Sequence, residues 1–278
     1  MKWKQFLTPV QSVNGQEARA LKDQYRDTDI LYLDVRQPKE YKESHLPGAK
    51  LIPIGDLDKH LDDLDSDQPT VVYCAVGGRS RVAAQLLAGK GFTKIYNLTG
   101  GIKAWDKITA FGPEDQGMAM FSGTESAEES ILIAYGLEEG LRDFYLLMQT
   151  KTTETDARKL FAKLADIEVI HQEQLLELYK EITGEQVTND NFANSVVSPI
   201  LEGGLTTEEY LARFQLDPDS ITDILSIAMA IEAQALDLYQ RASFNAQDAK
   251  TKEALQHIAD EERQHLQYLA DYMDRKTG

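Results

Sequence analysis

The sequence predicts two domains of different class: an α/β domain with a parallel sheet flanked by helices, and then an all-α four-helix bundle. Its 278 residues exceed the roughly 150 that one domain usually needs. Residues 1–110 carry a net charge of +2 and residues 111–278 a net charge of −19, giving the total of −17. The apolar pattern also changes, from short runs in the first part to long helical stripes in the second.

Short β-branched or aromatic runs bounded by turn residues predict buried strands in the first part. These runs cover residues 30–35, 50–54, 70–74 and 94–98. Helical patterns lie between them, notably over residues 16–25 and 80–89. Alternating strands and helices predict a largely parallel sheet, in which ligands bind at the carboxyl ends of the strands.

The lone cysteine, Cys74, stands where a predicted strand runs into a glycine-rich loop and then a helix. Gly77 and Gly78 allow the backbone to curve tightly, so that several N–H groups and the helix N-terminus can face one anion. Arg79 adds a planar fork of donors. A thiol in this setting should have a lowered pKa and act as a nucleophile. A buried structural cysteine is the commoner alternative.

Three segments of this part resemble the rhodanese (sulfurtransferase) family. They are LDVRQPKEYKESHLPGA from residue 33, YCAVGGRSRVAAQLLAGKGF from residue 73 and NLTGGIKAWDK from residue 97. The resemblance implies that Cys74 takes a sulfane sulfur as a persulfide, from thiosulfate or another persulfide, and passes it to a thiol or to cyanide. The sulfur and the anionic end of the donor would then lie in a cradle formed by Ala75, Val76, Gly77, Gly78 and Arg79.

Phosphatases of the related cell-cycle type share this fold and are the alternative for the loop. Their signature places arginine six positions after cysteine, where this sequence has Ser80, whereas Arg79 stands at five. The shorter loop favours sulfur over phosphate. Asp34 and Arg36 are interpreted as a structural ion pair and His45 as a turn-packing residue. With one cysteine the chain cannot release sulfur through an internal disulfide, so the acceptor must come from outside the domain.

Long helical stripes in the second part predict a four-helix bundle. They cover residues 125–150, 154–183, 219–244 and 247–275, with a crossover over 184–217 that contains a short helix. Capping boxes at Ser126 and Thr206, and Asp217-Pro218 before the third stripe, indicate where helices begin. We therefore expect a first domain over 1–110, a linker over 111–124 and a bundle over 125–278.

The two helix pairs repeat one pattern of ionisable residues with an offset of 94 positions. Each pair has a glutamate in an apolar stripe, followed 30 residues later by Glu-x-x-His on one helix face. The set consists of Glu138, Glu168, His171, Glu232, Glu262 and His265. Four carboxylates and two imidazoles in a bundle core are the pattern of a di-iron or di-manganese centre.

This part resembles the rubrerythrin branch of the ferritin-like family, through AYGLEEGLRDFY with LADIEVIHQEQL and AMAIEAQALDLY with IADEERQHLQYL. The resemblance implies that the six residues bind two iron ions, with manganese as the alternative. Tyr145 and Tyr239 are expected to pack in the core, near the centre. Two features depart from the family. Ala235 replaces a further carboxylate, and one cysteine excludes a rubredoxin module.

The function expected is therefore a sulfurtransferase fused to a dinuclear carboxylate site with redox activity. One alternative is a peroxide- or oxygen-reducing di-iron oxidoreductase with an accessory sulfur-sensing domain. Another is a bundle that serves only metal binding and dimerisation. The net charge of −17 argues against nucleic acid and anionic membranes as partners. The sequence shows no targeting or membrane-spanning segment, which predicts a cytoplasmic protein. A homodimer is expected from the resemblance.

Overall fold

The computed structural model describes residues 8–21, 24–25, 30–105, 108–185, 200–201 and 204–277. The chain divides into two compact units, residues 1–114 and 115–278, and each is described by itself. None of the described helices combines the length and the apolarity needed to cross a membrane.

The first unit contains a parallel β-sheet, which confirms the predicted α/β class. Its described strands are β1 (Gln11–Val13), β2 (Leu31–Asp34), β3 (Lys50–Leu51), β4 (Thr70–Tyr73) and β5 (Ile95–Leu98). They lie in the order β1-β5-β4-β2-β3, and every pair is parallel. The α-helices of the unit are α1 (Gly15–Ala20), α2 (Pro38–Glu43) and α3 (Gly78–Gly89).

The two faces of the sheet are covered by separate hydrophobic clusters. Val72 packs in the cluster with α3, whereas its neighbour Val71 packs in the cluster with Tyr41 of α2. Successive strand residues point to opposite faces, so a central strand covered on both sides needs a continuous apolar run. The run TVVY of β4 is fully buried, as that rule requires. This position places the residue after β4 at the carboxyl edge of the sheet.

The second unit is a bundle of long helices, as predicted. Its described helices are α4 (Ala127–Lys151), α5 (Thr155–Thr183), α6 (Thr207–Phe214), α7 (Ile221–Asn245) and α8 (Ala249–Thr277). The short strands β6 (Ile200–Leu201) and β7 (Leu205–Thr206) pair antiparallel ahead of α6. Much of the predicted crossover lies outside the described residues, at 186–199 and 202–203.

The helix starts confirm two of the three predicted caps. Ser126 and Thr206 each form a complete capping box, with Glu129 and Glu209 respectively. The assignment of Asp217-Pro218 to the start of the third long helix was wrong. The N-cap of α7 is Ser220, whose hydroxyl accepts from the N–H of Asp223, and the two earlier residues belong to the turn before it.

Helix α7 lies at the centre of the second unit, and every residue from 231 to 243 is buried. Segment 115–121 covers part of it: Phe121 packs edge-on against Tyr239, and Arg241 donates to the carbonyl oxygen of Gln116. Part of the segment predicted as a linker thus packs on the bundle. Residues 111–114, by contrast, belong to the first unit. The domain boundaries expected from the sequence stay a prediction.

Candidate functional site

Cys74 follows the last residue of β4 and is buried at the start of the loop that leads into α3. The N–H of Gly77 donates to Cys74 Sγ over 3.1 Å, and the Ser80 hydroxyl lies 3.5 Å from the same sulfur. Gly77 is also the N-cap of α3. The sulfur therefore lies where loop N–H groups and the positive end of a helix meet.

The loop needs glycine at position 77 for two reasons. Gly77 has a φ of +93°, and a Cβ there would lie 3.1 Å from Gly100 N and 3.2 Å from Leu98 O. Segment 98–103 therefore packs against the loop. Ile102 and Lys103 donate their N–H groups to the carbonyl oxygens of Cys74 and Ala75. The NLTGGIKAW segment thus supports the loop from the next strand.

The electrostatics of the loop favour a thiolate. Burial raises the pKa of Cys74, but hydrogen bonds from the Ser80 hydroxyl and from the N–H groups of Ser80, Val76 and Gly77 outweigh it. The pKa of the thiol is therefore below its ordinary value. More of the sulfur is ionised at neutral pH than in a free cysteine, which makes it a better nucleophile.

Arg79, at the end of the loop, is held by a carboxylate of α2. Its two terminal nitrogens donate to Glu40 over 2.6 and 2.8 Å. Hydrogen bonds from Arg79 lower the pKa of Glu40 to about 2, so the pair is charged at neutral pH. The guanidinium is fixed at the loop, about a third exposed, where it can meet an anionic ligand.

Three other polar residues that the sequence analysis singled out are buried and contact residues of the first unit. Arg36 donates to both carboxylate oxygens of Asp34, over 2.7 to 3.0 Å, and both residues are buried. His45 is buried with its ring stacked on Tyr41 at 3.8 Å between centroids. His45 also forms a β-bridge with Ala110.

The second unit brings together the six ionisable residues of the internal repeat as two triads. Glu138 of α4 meets Glu168 and His171 of α5, and Glu232 of α7 meets Glu262 and His265 of α8. Within each triad, one potential ligand atom per residue lies within 4.8 Å of the others. The imidazoles of His171 and His265 stack with 3.4 Å between ring centroids, so the triads adjoin.

Burial and neighbouring charges shift the pKa values of the residues in the two triads. Burial lowers the pKa of His171, but the carboxylates of Glu138 and Glu168 outweigh it and raise that pKa to about 12. Burial, with the charge of His171, lowers the pKa of His265 to about 3. Burial also raises the pKa of Glu168 well above its ordinary value. Buried carboxylates at this density need a positive charge among them.

The donor set fits a pair of metal ions. Several buried atoms of the triads form no well-directed hydrogen bond with the described residues and lie against one another instead. They are Glu138 Oε2, both oxygens of Glu168, His171 Nδ1, Glu232 Oε2 and His265 Nδ1. His171 Nδ1, for example, lies 2.9 Å from Glu168 Oε2 and 3.5 Å from Glu138 Oε2. Natural proteins rarely leave buried polar atoms without well-directed hydrogen bonds, and these are the atom types that bind iron or manganese.

A cavity of about 400 Å³ leads from the surface between α5 and α8 to four of these six residues, Glu168, His171, Glu232 and His265. The surface of its walls is largely apolar, with Leu164, Ile167 and Leu269 among the lining residues. At its edge the Lys163 ammonium donates to the hydroxyl of Tyr268. The cavity therefore adjoins four of the six candidate metal ligands.

Three further residues of the bundle that the sequence singled out are buried, and one residue near Cys74 was not singled out. Tyr145 and Tyr239 are fully buried, as expected of core residues. Ala235 is fully buried in an apolar cluster. Sequence reasoning missed Asn97, whose amide lies 2.7 Å from the Ser80 hydroxyl, because a strand asparagine gives no motif signal of its own.

Comparison with known proteins gives a family for each unit. A rhodanese-like domain matches residues 17–108, and the rubrerythrin family matches residues 129–273. The second match covers more than half of the chain.

Individual relatives match the first unit. A protein named sulfurtransferase, from Allochromatium vinosum, is 33% identical over 94 residues, which cover 34% of this chain and 88% of that protein. The uncharacterized protein YqhL of Bacillus subtilis is 41% identical over 81 residues, which cover 29% of this chain and 63% of its own length. The chain thus spans less than two thirds of that relative. A rhodanese-like domain protein from Staphylococcus aureus has a TM-score of 0.33 and 25% identity, covering 37% of this chain and 98% of that one.

Proposed function

The chain belongs to the rubrerythrin family and carries a rhodanese-like domain ahead of the bundle, and on that premise we propose that it is a sulfurtransferase joined to a dinuclear, redox-active metal centre. The sulfurtransferase is assigned to residues 1–110 and the metal centre to residues 125–278, joined by 111–124. The observation that carries the proposal is the hydrogen bond from the N–H of Gly77 to the buried Cys74 sulfur. Cys74 begins the loop, and Arg79 ends it.

The first half-reaction loads sulfur onto the protein. The Cys74 thiolate attacks the sulfane sulfur of thiosulfate, and a new S–S bond forms as the S–S bond of thiosulfate breaks. Sulfite leaves with the electron pair of that bond. Arg79 holds the anionic donor. The N–H groups of Ala75 to Arg79 stabilise the negative charge, which moves from Cys74 Sγ to the outer sulfur of the persulfide.

The second half-reaction removes the outer sulfur. A thiol or cyanide from solvent attacks it, the persulfide S–S bond breaks, and Cys74 leaves as a thiolate stabilised by the same donors. The products are a new persulfide or thiocyanate. Because these 278 residues contain one cysteine, a protein thiol acceptor must come from outside them. The similarity to the Allochromatium vinosum protein named sulfurtransferase supports this reaction class.

In the bundle we assign six residues to the metals: Glu138, Glu168, His171, Glu232, Glu262 and His265. Two iron ions bound there would supply electron transfer to peroxide or oxygen, and manganese is the alternative metal. The carboxylates offset the charge of the ions, and the aliphatic walls of Leu164 and Ile167 restrict water around them. Lys163 at the edge of the cavity favours the entry of an anion or a polar molecule.

Two measurements on the purified full-length chain test the proposal. After incubation with thiosulfate, intact-mass spectrometry should show one added sulfur atom on Cys74, and cyanide should remove it as thiocyanate. Elemental analysis should find two iron or manganese ions per chain, and peroxide should change the visible spectrum of the iron form.

Each half of the proposal has its own contradicting result. No sulfur adduct on Cys74 with any sulfane donor would overturn the sulfurtransferase. Two bound metals with a spectrum that peroxide leaves unchanged would reduce the bundle to metal binding, and no bound metal would remove the second activity.

A further inference from the structure

A single buried hydroxyl lies between the reactive sulfur and a buried amide. Ser80 Oγ is 3.5 Å from Cys74 Sγ and 2.7 Å from Asn97 Oδ1. Ser80 is fully buried and Asn97 is 4% exposed, so water does not substitute for either partner. A hydroxyl has one hydrogen and can donate to only one of the two.

The direction of this chain of hydrogen bonds depends on whether the sulfur carries a proton. With a neutral thiol, Cys74 donates to Ser80 and Ser80 donates to Asn97 Oδ1, which fits the short distance to the amide oxygen. With a thiolate, the Ser80 hydrogen must turn to the sulfur, because a hydrogen bond to a charged acceptor is the stronger one. The Asn97 oxygen would then face the Ser80 oxygen with no hydrogen between them.

An asparagine can resolve this conflict, because its side chain offers both an acceptor and donors. Rotation of the amide by about 180° replaces the carbonyl oxygen with the NH₂ group, which donates to Ser80 Oγ. Aspartate is similar in size but can only accept when ionised, and leucine can neither donate nor accept. The three side chains therefore differ in whether they permit Ser80 to donate to sulfur.

We propose that Asn97 is a positioning residue for the sulfur chemistry. Its side-chain amide rotates when Cys74 loses its proton, and this rotation lets Ser80 donate to the thiolate. This inference rests on the proposed role of Cys74 as the sulfur carrier. The charged groups on the surrounding elements are Arg79, paired with Glu40 of α2, and Asp34, paired with Arg36 after β2. Substitutions at Asn97 leave these four groups in place.

The test is the pH dependence of Cys74 alkylation by iodoacetamide, followed by mass spectrometry on the full chain. Since Cys74 is the one cysteine of the sequence, the rate reports a single site. Asn97→Asp should raise the midpoint of the profile by about one pH unit, because the carboxylate keeps the Ser80 hydrogen. The alkylation rate at neutral pH should then be about tenfold lower than in the wild type. Asn97→Leu should raise the midpoint less, since it leaves Ser80 able to donate but no longer oriented.

Two further variants separate this role from general effects on the sheet. Thr70→Val removes a buried hydroxyl at the other end of β4 and should leave the midpoint unchanged. In a Ser80→Ala background, Asn97→Leu should cause no further shift, because the connecting hydroxyl is gone. Circular dichroism confirms that each variant is folded, and Asn97→Leu keeps the test open if Asn97→Asp does not fold.

An unchanged midpoint in both Asn97 variants would overturn the proposal. It would also be overturned if Asn97→Leu shifted the midpoint equally in the wild-type and Ser80→Ala backgrounds. The outcome is separable from that of the proposed function. If the midpoints shift as expected but no sulfane donor loads the wild-type chain, the positioning role of Asn97 is supported and the sulfurtransferase assignment is overturned.

Discussion

The two candidate sites are built in opposite ways. The site at Cys74 takes its N–H donors from one continuous loop, so its geometry depends on backbone conformation at single residues such as Gly77. The site in the bundle takes six side chains from four helices and repeats one triad twice. Loop sites of the first kind are sensitive to local φ and ψ angles, whereas the second kind depends on the charges that the helices bring together.

The largest effect should come from Cys74→Ser, which breaks one site and tests whether the other is independent. Serine is a far weaker nucleophile, so sulfur transfer from thiosulfate to cyanide should fall by roughly a thousandfold or more. The metal content of the bundle should stay the same. Thiocyanate formation and elemental analysis measure the two, and wild-type turnover in the variant would contradict the assignment.

A change in the backbone of the Cys74 loop should have the next-largest effect on sulfur transfer. Gly77→Ala places a Cβ where φ is +93° and Gly100 lies close, so the N–H should move away from the sulfur. We expect a ten- to hundredfold loss of sulfur transfer, comparable in origin to the loss of one donor of an oxyanion hole. Gly78→Ala is the matched control, because a Cβ there meets no atom within 4 Å. Equal losses in the two variants would argue against a role for the Gly77 amide.

In the bundle, Glu168→Gln should have effects of opposite sign with and without metal. Without metal it removes a buried carboxyl from a crowded set, so the melting temperature should rise. Metal should stabilise the wild type by about 2.7 kcal/mol at a hundredfold excess over Kd, and most of that gain should vanish in the variant. Differential scanning calorimetry with and without metal measures both. Glu173→Gln, exposed on the same helix, should change neither, and a lower melting temperature of metal-free Glu168→Gln would contradict the prediction.

The smallest effect should come from Glu40→Gln, which removes the partner of Arg79. The pair is about a third exposed, so its loss should lower the free energy of unfolding by less than about 1 kcal/mol. Because the folded state lowers the pKa of Glu40 to about 2, the difference should be present above about pH 5 and disappear as the pH falls toward 2. Urea unfolding at several pH values checks this. A difference that persists at pH 2 would show that the charge pair is not its cause.

The residues of both candidate sites could be selected from the sequence alone, for different physical reasons. Cys74 and its loop stand together in the chain, and the six ligand candidates recur at one offset, so neither required knowledge of the fold. The strand β1 escaped notice, because it has three residues of which only Val13 is buried. The Asp217-Pro218 signal was wrong, because Ser220 offers a cap closer to the apolar stripe. The cytoplasmic location, the homodimer and the identity of the metal stay predictions.

The repeat in the bundle also has a consequence for how the chain folds. Each triad belongs to one helical hairpin, and Glu138 and His171 are 33 positions apart, whereas equivalent residues of the two hairpins are 94 positions apart. Contacts within a hairpin should form before contacts between hairpins, because closing the shorter loop costs less entropy. The docking of the two hairpins then brings four carboxylates together. We therefore expect charge repulsion to be concentrated at the last step of assembly of the bundle.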